Sequence, residues 1–143
     1  MGRIIGIDLG LKRTGLAVTD PDQMIANPLE AVGTDRLIDY LKDYCAGETV
    51  DGFAIGDPVN TDGSPTHTTA EVQKMVKRLN KVFPDKNVYL IDERFTTSLA
   101  LDAMIAGGAS KKYRKEKGNV DKISATIILQ SYLEQKSMGD KRQ

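Results

Sequence analysis

The chain has little with which to perform several common kinds of chemistry. It carries one cysteine, Cys45, and one histidine, His67. A single cysteine excludes an internal disulfide and fits a reducing, cytoplasmic setting. Cys45 falls on the apolar face of a predicted helix, which makes it a packing residue rather than a reactive thiol. His67 sits in the polar run Ser64-Pro65-Thr66-His67-Thr68-Thr69 and reads as a surface or capping residue. No serine–histidine or cysteine–histidine pair is therefore available for nucleophilic catalysis. No apolar stretch approaches 18 residues, so no membrane span and no membrane partner are expected. Met1-Gly2-Arg3 leads straight into a strand-like segment, and no signal peptide is expected.

Net charge is lacking as well, with 20 basic and 20 acidic residues. That excludes a uniformly basic nucleic-acid coat protein. The charges are unevenly placed, however: residues 1–106 hold 11 Lys/Arg against 16 Asp/Glu, and 107–143 hold 9 against 4. Such asymmetry suggests an acidic site beside a basic platform. A length of 143 residues suits one domain, expected over 1–136, with 137–143 a frayed tail.

Periodicity supplies the elements. Ile4–Leu9 and Gly15–Thr19 read as strands of a hairpin turned by Gly10–Thr14. A third strand is expected over Met24–Val32, with Pro28 favouring an edge or a bulge. Thr34 is a predicted N-cap for a helix whose apolar positions are Leu37, Ile38, Leu41 and Cys45. Phe53–Gly56 is a short strand. Thr68 and Glu71 form a capping-box pattern before a helix lined by Val72, Met75, Val76, Leu79 and Phe83. Val88–Asp92 is the last strand, and Thr97 or Ser98 caps a helix reaching about Ala106. Gly107-Gly108 stops it, Ala109–Asn119 reads as a mobile basic loop, and a final helix spans about Val120–Gln135. Strands separated by helices pair in parallel through right-handed crossovers. The fold class is thus α/β: a mixed five-stranded sheet flanked by helices, an antiparallel meander of three strands followed by two parallel to the first.

What the chain does have is carboxylates where strands should be apolar. Asp8 lies within Ile4-Ile5-Gly6-Ile7-Asp8-Leu9, and burying a lone charge costs several kcal/mol unless it is paired or metal-bound. Asp57 follows the fourth strand, and Asp92-Glu93 end the fifth. Asp121 is spaced i, i+4, i+7, i+11 with Ala125, Ile128 and Tyr132, so it shares the helical stripe that faces the sheet. Parallel strands would gather these acids at one edge, where they repel one another unless a cation neutralises them. Hard oxygen ligands suit Mg²⁺ or Mn²⁺. Two such ions about 4 Å apart can hydrolyse a phosphodiester, one activating water and the other stabilising the leaving oxygen.

Four motifs occur in order: Gly6-Ile7-Asp8-Leu9-Gly10 with Lys12-Arg13-Thr14-Gly15, Gly56-Asp57-Pro58-Val59-Asn60-Thr61-Asp62-Gly63, Asp92-Glu93-Arg94-Phe95-Thr96-Thr97, and Val120-Asp121-Lys122-Ile123-Ser124-Ala125. The ordered set resembles the YqgF/RuvX family of bacterial ribonuclease H-like nucleases, over about Arg3 to Glu134. The resemblance implies a ribonuclease H-like fold and metal-dependent nuclease activity. That family is described both as a Holliday junction resolvase and as the nuclease processing the 5′ end of pre-16S rRNA. Its catalytic, metal-binding acids carry over onto Asp8, Glu93 and Asp121, with Mg²⁺ or Mn²⁺ as cofactor. Arg94, Lys12 and Arg13 would then meet phosphate, and Asn60 and Gly63 shape a turn near the substrate. Lys111, Lys112, Arg114 and Lys115 would grip the nucleic-acid backbone by charge. The implied partner is structured RNA, with branched DNA as the alternative, for which a symmetric homodimer is expected. One departure is Asp57, where the family usually has an apolar residue; it either joins the metal site or faces solvent.

Two other readings fit parts of the chain. The opening motif also resembles the first phosphate loop of actin-like ATPases and sugar kinases. That reading demands a second Gly-rich loop and a second core, and Glu93-Arg94 stands where no such loop can be read. A nucleic-acid-binding module without catalysis is the third reading, and the presence of all three acids gives no sign of it.

Overall fold

The computed structural model of the chain describes residues 2–58, 64, 66, 68–92 and 117–141. Five strands form one sheet: β1 (Arg3–Leu9), β2 (Arg13–Thr19), β3 (Ala26–Gly33), β4 (Val50–Asp57) and β5 (Asn87–Asp92), in the order β3-β2-β1-β4-β5. β1–β2 and β2–β3 pair antiparallel, while β1–β4 and β4–β5 pair parallel. The expected mixed sheet, with its meander and its two parallel strands, is what forms. β3 runs along one edge, and its register against β2 shifts between Leu16 and Ala17, beside Pro28. A proline that cannot donate to a ladder is tolerated at such a place.

Alternation along the strands builds two cores, one on each face. Ile5, Ile7, Leu16, Val18, Phe53 and Ile55 point to the first face. There they meet α1 (Leu37–Gly47) and α2 (Thr69–Val82) through Leu37, Leu41, Val72, Met75 and Leu79. The apolar stripes expected on these two helices are the ones buried. Cys45 packs at the margin of this core, and burial pushes its thiol pKa up, which keeps it protonated and inert as expected.

The second face is made differently. Its strand residues are small, Gly6, Gly15, Ala17 and Ala54 among them, and one long helix, α3 (Lys117–Lys141), lies across it. Ala125, Ile128, Leu129 and Tyr132 of α3 are buried there. A Cβ on Gly6 would come within 2.8 Å of both the Ala125 carbonyl oxygen and the Leu129 Cβ. One on Gly15 would lie 2.0 Å from the carbonyl oxygen of Asp121. The far half of α3 is tied down by polar bonds: Lys136 Nζ donates to Gln23 Oε1 at 2.6 Å, and Gln23 Nε2 donates to the Gly2 carbonyl at 2.7 Å.

Several local expectations are corrected. Thr34 makes no side-chain cap; a short 3-10 turn, Thr34–Arg36, precedes α1 instead. The Thr68–Glu71 capping box does not form either. Thr69 Oγ1 accepts from the Thr66 amide at 2.8 Å and donates to the Pro58 carbonyl at 2.9 Å, so the threonines tether α2 to the end of β4. α3 is longer at both ends than the predicted Val120–Gln135. The last three residues of the expected basic loop are helical, and the expected end of order after Lys136 falls inside the helix. The predicted helix from Thr97 or Ser98 to Ala106, its Gly107-Gly108 stop and His67 lie outside the described residues.

Gly15→Ala tests the close approach of α3. Because the added methyl meets backbone rather than a flexible side-chain tip, it should destabilise the fold by about 1–3 kcal/mol. Urea unfolding of the two proteins should show a lower midpoint with an unchanged slope.

Candidate active site at the carboxyl end of β1

Asp8 is the penultimate residue of β1 and half-buried. It shares the face of Ile4 and Gly6, hence the face covered by α3. Its register partner on β2 is Gly15, the residue on which the Asp121 backbone rests. Asp8 and Asp121, 113 positions apart, thus flank the same glycine from strand and helix. On the other side of β1, the Gly6–Ala54 and Ile7–Ile55 pairs put Asp8 level with Gly56. Asp8 is thus flanked on both neighbouring strands by glycines, which add no side chain of their own to its face of the sheet.

The hairpin tip, Gly10–Lys12, is braced from behind. Thr34 Oγ1 donates to the Gly10 carbonyl at 2.7 Å and pairs with the Thr14 hydroxyl at 2.8 Å, and the Thr34 amide donates to the Lys12 carbonyl at 3.0 Å. Thr14 is fully buried. These bonds hold the turn between Asp8 and Arg13 and leave Lys12 exposed at its tip.

Arg13 is engaged. Its Nε donates to Asp121 Oδ2 at 2.8 Å, with the arginine side chain 46% and the aspartate 24% exposed. The sequence suggested a phosphate contact for Arg13 and missed this pair. A signal was present: Arg13, Gly15 and Ala17 alternate onto one face, and two small residues in that row announce a helix overhead.

Asp57 falls elsewhere. It follows Ile55 by two positions, so it shares the α1–α2 face, and its register partner is Asp92. The strand alternation that aims Asp8 at α3 aims Asp57 and Asp92 away from it. Glu93, directly after β5, lies outside the described residues, as do Asn60, Arg94, Lys111, Lys112, Arg114 and Lys115. Among the described residues no group of three or more acidic, His or Cys side chains comes together; Asp8 and the Asp121 backbone share the neighbourhood of Gly15.

Comparison with known proteins follows the same outline. Residues 2–135 match the family described as "RuvX: Holliday junction resolvase". The chain belongs to this family. It is 47% identical over 136 residues to a Flavobacterium johnsoniae protein named "Putative pre-16S rRNA nuclease", covering 95% of this chain and 99% of that one. A Parabacteroides distasonis protein of the same name is 48% identical over 136 residues, covering 95% and 97%. Among solved structures, Thermus thermophilus RuvC in complex with a Holliday junction substrate aligns with a TM-score of 0.56 at 15% identity, covering 94% of this chain and 96% of that one. The fowlpox virus resolvase with Holliday junction DNA aligns with a TM-score of 0.52 at 13% identity, covering 93% and 97%. These likenesses establish the ribonuclease H-like fold that the motifs implied.

The oxygen donors of Asp8 and Asp121, on one face and beside side-chain-free positions, fit a hard divalent cation. Asp57, aimed at the other face, should not contribute. In Mn²⁺ titrations, Asp57→Asn should bind like the wild type, whereas Asp8→Asn should lose at least about tenfold in affinity.

Proposed function

We propose that this protein is a metal-dependent endonuclease that hydrolyses phosphodiester bonds in structured RNA, trimming the 5′ end of pre-16S rRNA during ribosome assembly in the cytoplasm. The observation that carries the reading is the convergence of Asp8 and Asp121 on Gly15. Asp8 from the strand and Asp121 from the helix bring hard oxygen donors to one face of the sheet, the kind of donor a divalent cation takes. Identity of 43–48% to the curated relatives with the pre-16S rRNA nuclease name supports RNA as the substrate.

In this reading Asp8, Asp121 and Glu93 hold Mg²⁺ or Mn²⁺. When bound there, such a cation would supply Lewis-acid activation of water and charge neutralisation at the leaving oxygen. The chain itself contributes position. Asp8 is fixed by the ladder between β2 and β4, and Asp121 by the weight of α3 on Gly15. Lys12 and Arg13, on the braced hairpin, offer cationic donors to a phosphate arriving at the acids. Asn60, Arg94, Lys111, Lys112, Arg114 and Lys115, which lie outside the described residues, are the further nucleic-acid-binding residues that the family resemblance implies.

A second reading, resolution of Holliday junctions by a homodimer, is favoured by the family description and by the two junction-bound neighbours. One assay separates the two. Labelled precursor rRNA fragment, single-stranded RNA and a four-way DNA junction are incubated with and without Mn²⁺. The precursor should be cut near its mature 5′ end, only with metal, and paired symmetric cuts of the junction would instead establish the resolvase. Loss of an outer partner of a metal ligand costs 10–100-fold, so Asp8→Asn and Asp121→Asn should each lower cleavage by more than about a hundredfold. Asp8→Asn should melt near the wild-type temperature, and Asp121→Asn slightly below it, because its ion pair with Arg13 is lost. Metal-independent cutting, or cutting indifferent to these substitutions, overturns the nuclease reading.

A further inference from the structure

The guanidinium of Arg13 has two uses. As a hydrogen-bond donor it holds Asp121 Oδ2 at 2.8 Å. As a planar, permanently charged fork it suits a phosphate. We infer that Arg13 competes with a divalent cation for Asp121, so that loading of a cation at Asp121 is coupled to release of Arg13 onto a substrate phosphate. This inference rests on the proposed function, since it takes Asp121 as a cation ligand.

The contact is built into the fold. Arg13 lies two positions before Gly15 on β2, so alternation turns it toward α3. The missing side chain of Gly15 lets the Asp121 backbone descend to the sheet, which brings its carboxylate within reach of the arginine. The hairpin behind Arg13 is anchored by the bonds from Thr34 to Gly10 and Lys12. The backbone therefore stays in place while the side chain moves.

The two partners also differ in exposure. Arg13 is nearly half open to solvent, and Asp121 is three-quarters enclosed. A phosphate can reach the guanidinium from outside without disturbing the acid. A cation approaching Asp121, by contrast, meets a carboxylate whose charge is already offset and one of whose oxygens already accepts a short charge-assisted bond. A cation that takes Oδ2, or both oxygens together, displaces the arginine. A phosphate on the same face offers the displaced guanidinium a new partner and removes the positive charge from the cation's path. Metal loading and substrate arrival then reinforce each other, and reciprocity requires the effect to run both ways.

The test is Mn²⁺ binding without nucleic acid, read as free Mn²⁺ by electron paramagnetic resonance, for the wild type, Arg13→Gln, Asp121→Asn and the double variant. Thermal melts confirm that each is folded. An exposed ion pair of this kind is expected to hold back Mn²⁺ by about two- to fivefold, so Arg13→Gln should bind that much more tightly than the wild type. The gain should vanish when the same substitution is made in Asp121→Asn. Equal or weaker binding by Arg13→Gln overturns the inference. So does a gain that persists undiminished without the Asp121 carboxylate, which would mark a diffuse effect of net charge. A wild type that binds no Mn²⁺ overturns the metal-dependent reading and this inference together, whereas unshifted affinities overturn this inference alone. At saturating Mn²⁺, the KM of Arg13→Gln for the RNA fragment should rise severalfold; an unchanged KM overturns the release of Arg13 to phosphate.

Discussion

α3 can lie directly on the sheet beside Asp8 only because β1, β2 and β4 present Gly6, Gly15, Ala17 and Ala54 beneath it, with Ile4 the one large apolar residue of these strands on that face. At Gly15 the helix backbone occupies the space a Cβ would need, and at Gly6 it comes nearly as close. The rest of the candidate site depends on that contact. It brings the Asp121 backbone down onto Gly15, the register partner of Asp8, and it brings the Asp121 carboxylate within hydrogen-bond distance of Arg13. A helix held at the ordinary distance by valines or isoleucines would carry its aspartate away from the strand. The helix–sheet spacing is therefore part of the site as well as of the core.

A single contact at one end would leave a rod of this length free to pivot. At about 1.5 Å per residue, Asp121 and Lys136 are roughly 22 Å apart along α3. The second tie lies at the opposite end of the sheet. Lys136 bonds Gln23, and Gln23 bonds both the Gly2 carbonyl and Asp51 Oδ2, which also accepts from the Gly2 amide at 2.9 Å. Gln23 adopts φ 57° to do so, a left-handed conformation that costs a non-glycine residue about 1–2 kcal/mol. That strain is spent holding the helix down far from the acids, and the apolar stripe from Ala125 to Tyr132 fills the interval. Asp121 thus sits at the end of a beam fixed at two points.

What the sequence made legible follows from periodicity. The strands, the stripes on α1 and α2, and the shared face of Asp121, Ala125, Ile128 and Tyr132 all repeat over several residues, so each position corroborates the next. The same regularity grouped Asp8 with Asp121. Single-residue chemistry was less legible. Thr34 and Thr68 fit cap patterns, but each hydroxyl group had a competing partner: the Gly10 carbonyl at the hairpin tip for Thr34, and the hydroxyl of Thr66, itself bonded to the Pro58 carbonyl after β4, for Thr68. Asp57 stood close in sequence to the acidic end of β4, yet one step of alternation sends it to the opposite face from Asp8. The Arg13–Asp121 pair joins residues 108 positions apart, a separation at which no local rule operates.

The acids on their own do not choose a substrate. Cation-assisted attack on a phosphodiester uses the phosphate oxygens, which RNA and DNA share, and nothing in it reads the 2′-hydroxyl or the base. Discrimination has to come from groups that reach past the phosphate. On the proposed function, the braced hairpin tip would be a candidate for this: Leu11 is 64% exposed and stands directly beside Lys12, an apolar side chain next to a cation. Such a pair fits a sugar or base edge whose phosphate is held close by. Because Thr34 fixes that tip to the same hairpin that carries Asp8 and Arg13, any nucleic acid seated on Leu11 and Lys12 is held in register with the acids. Recognition and chemistry would then be set by one turn.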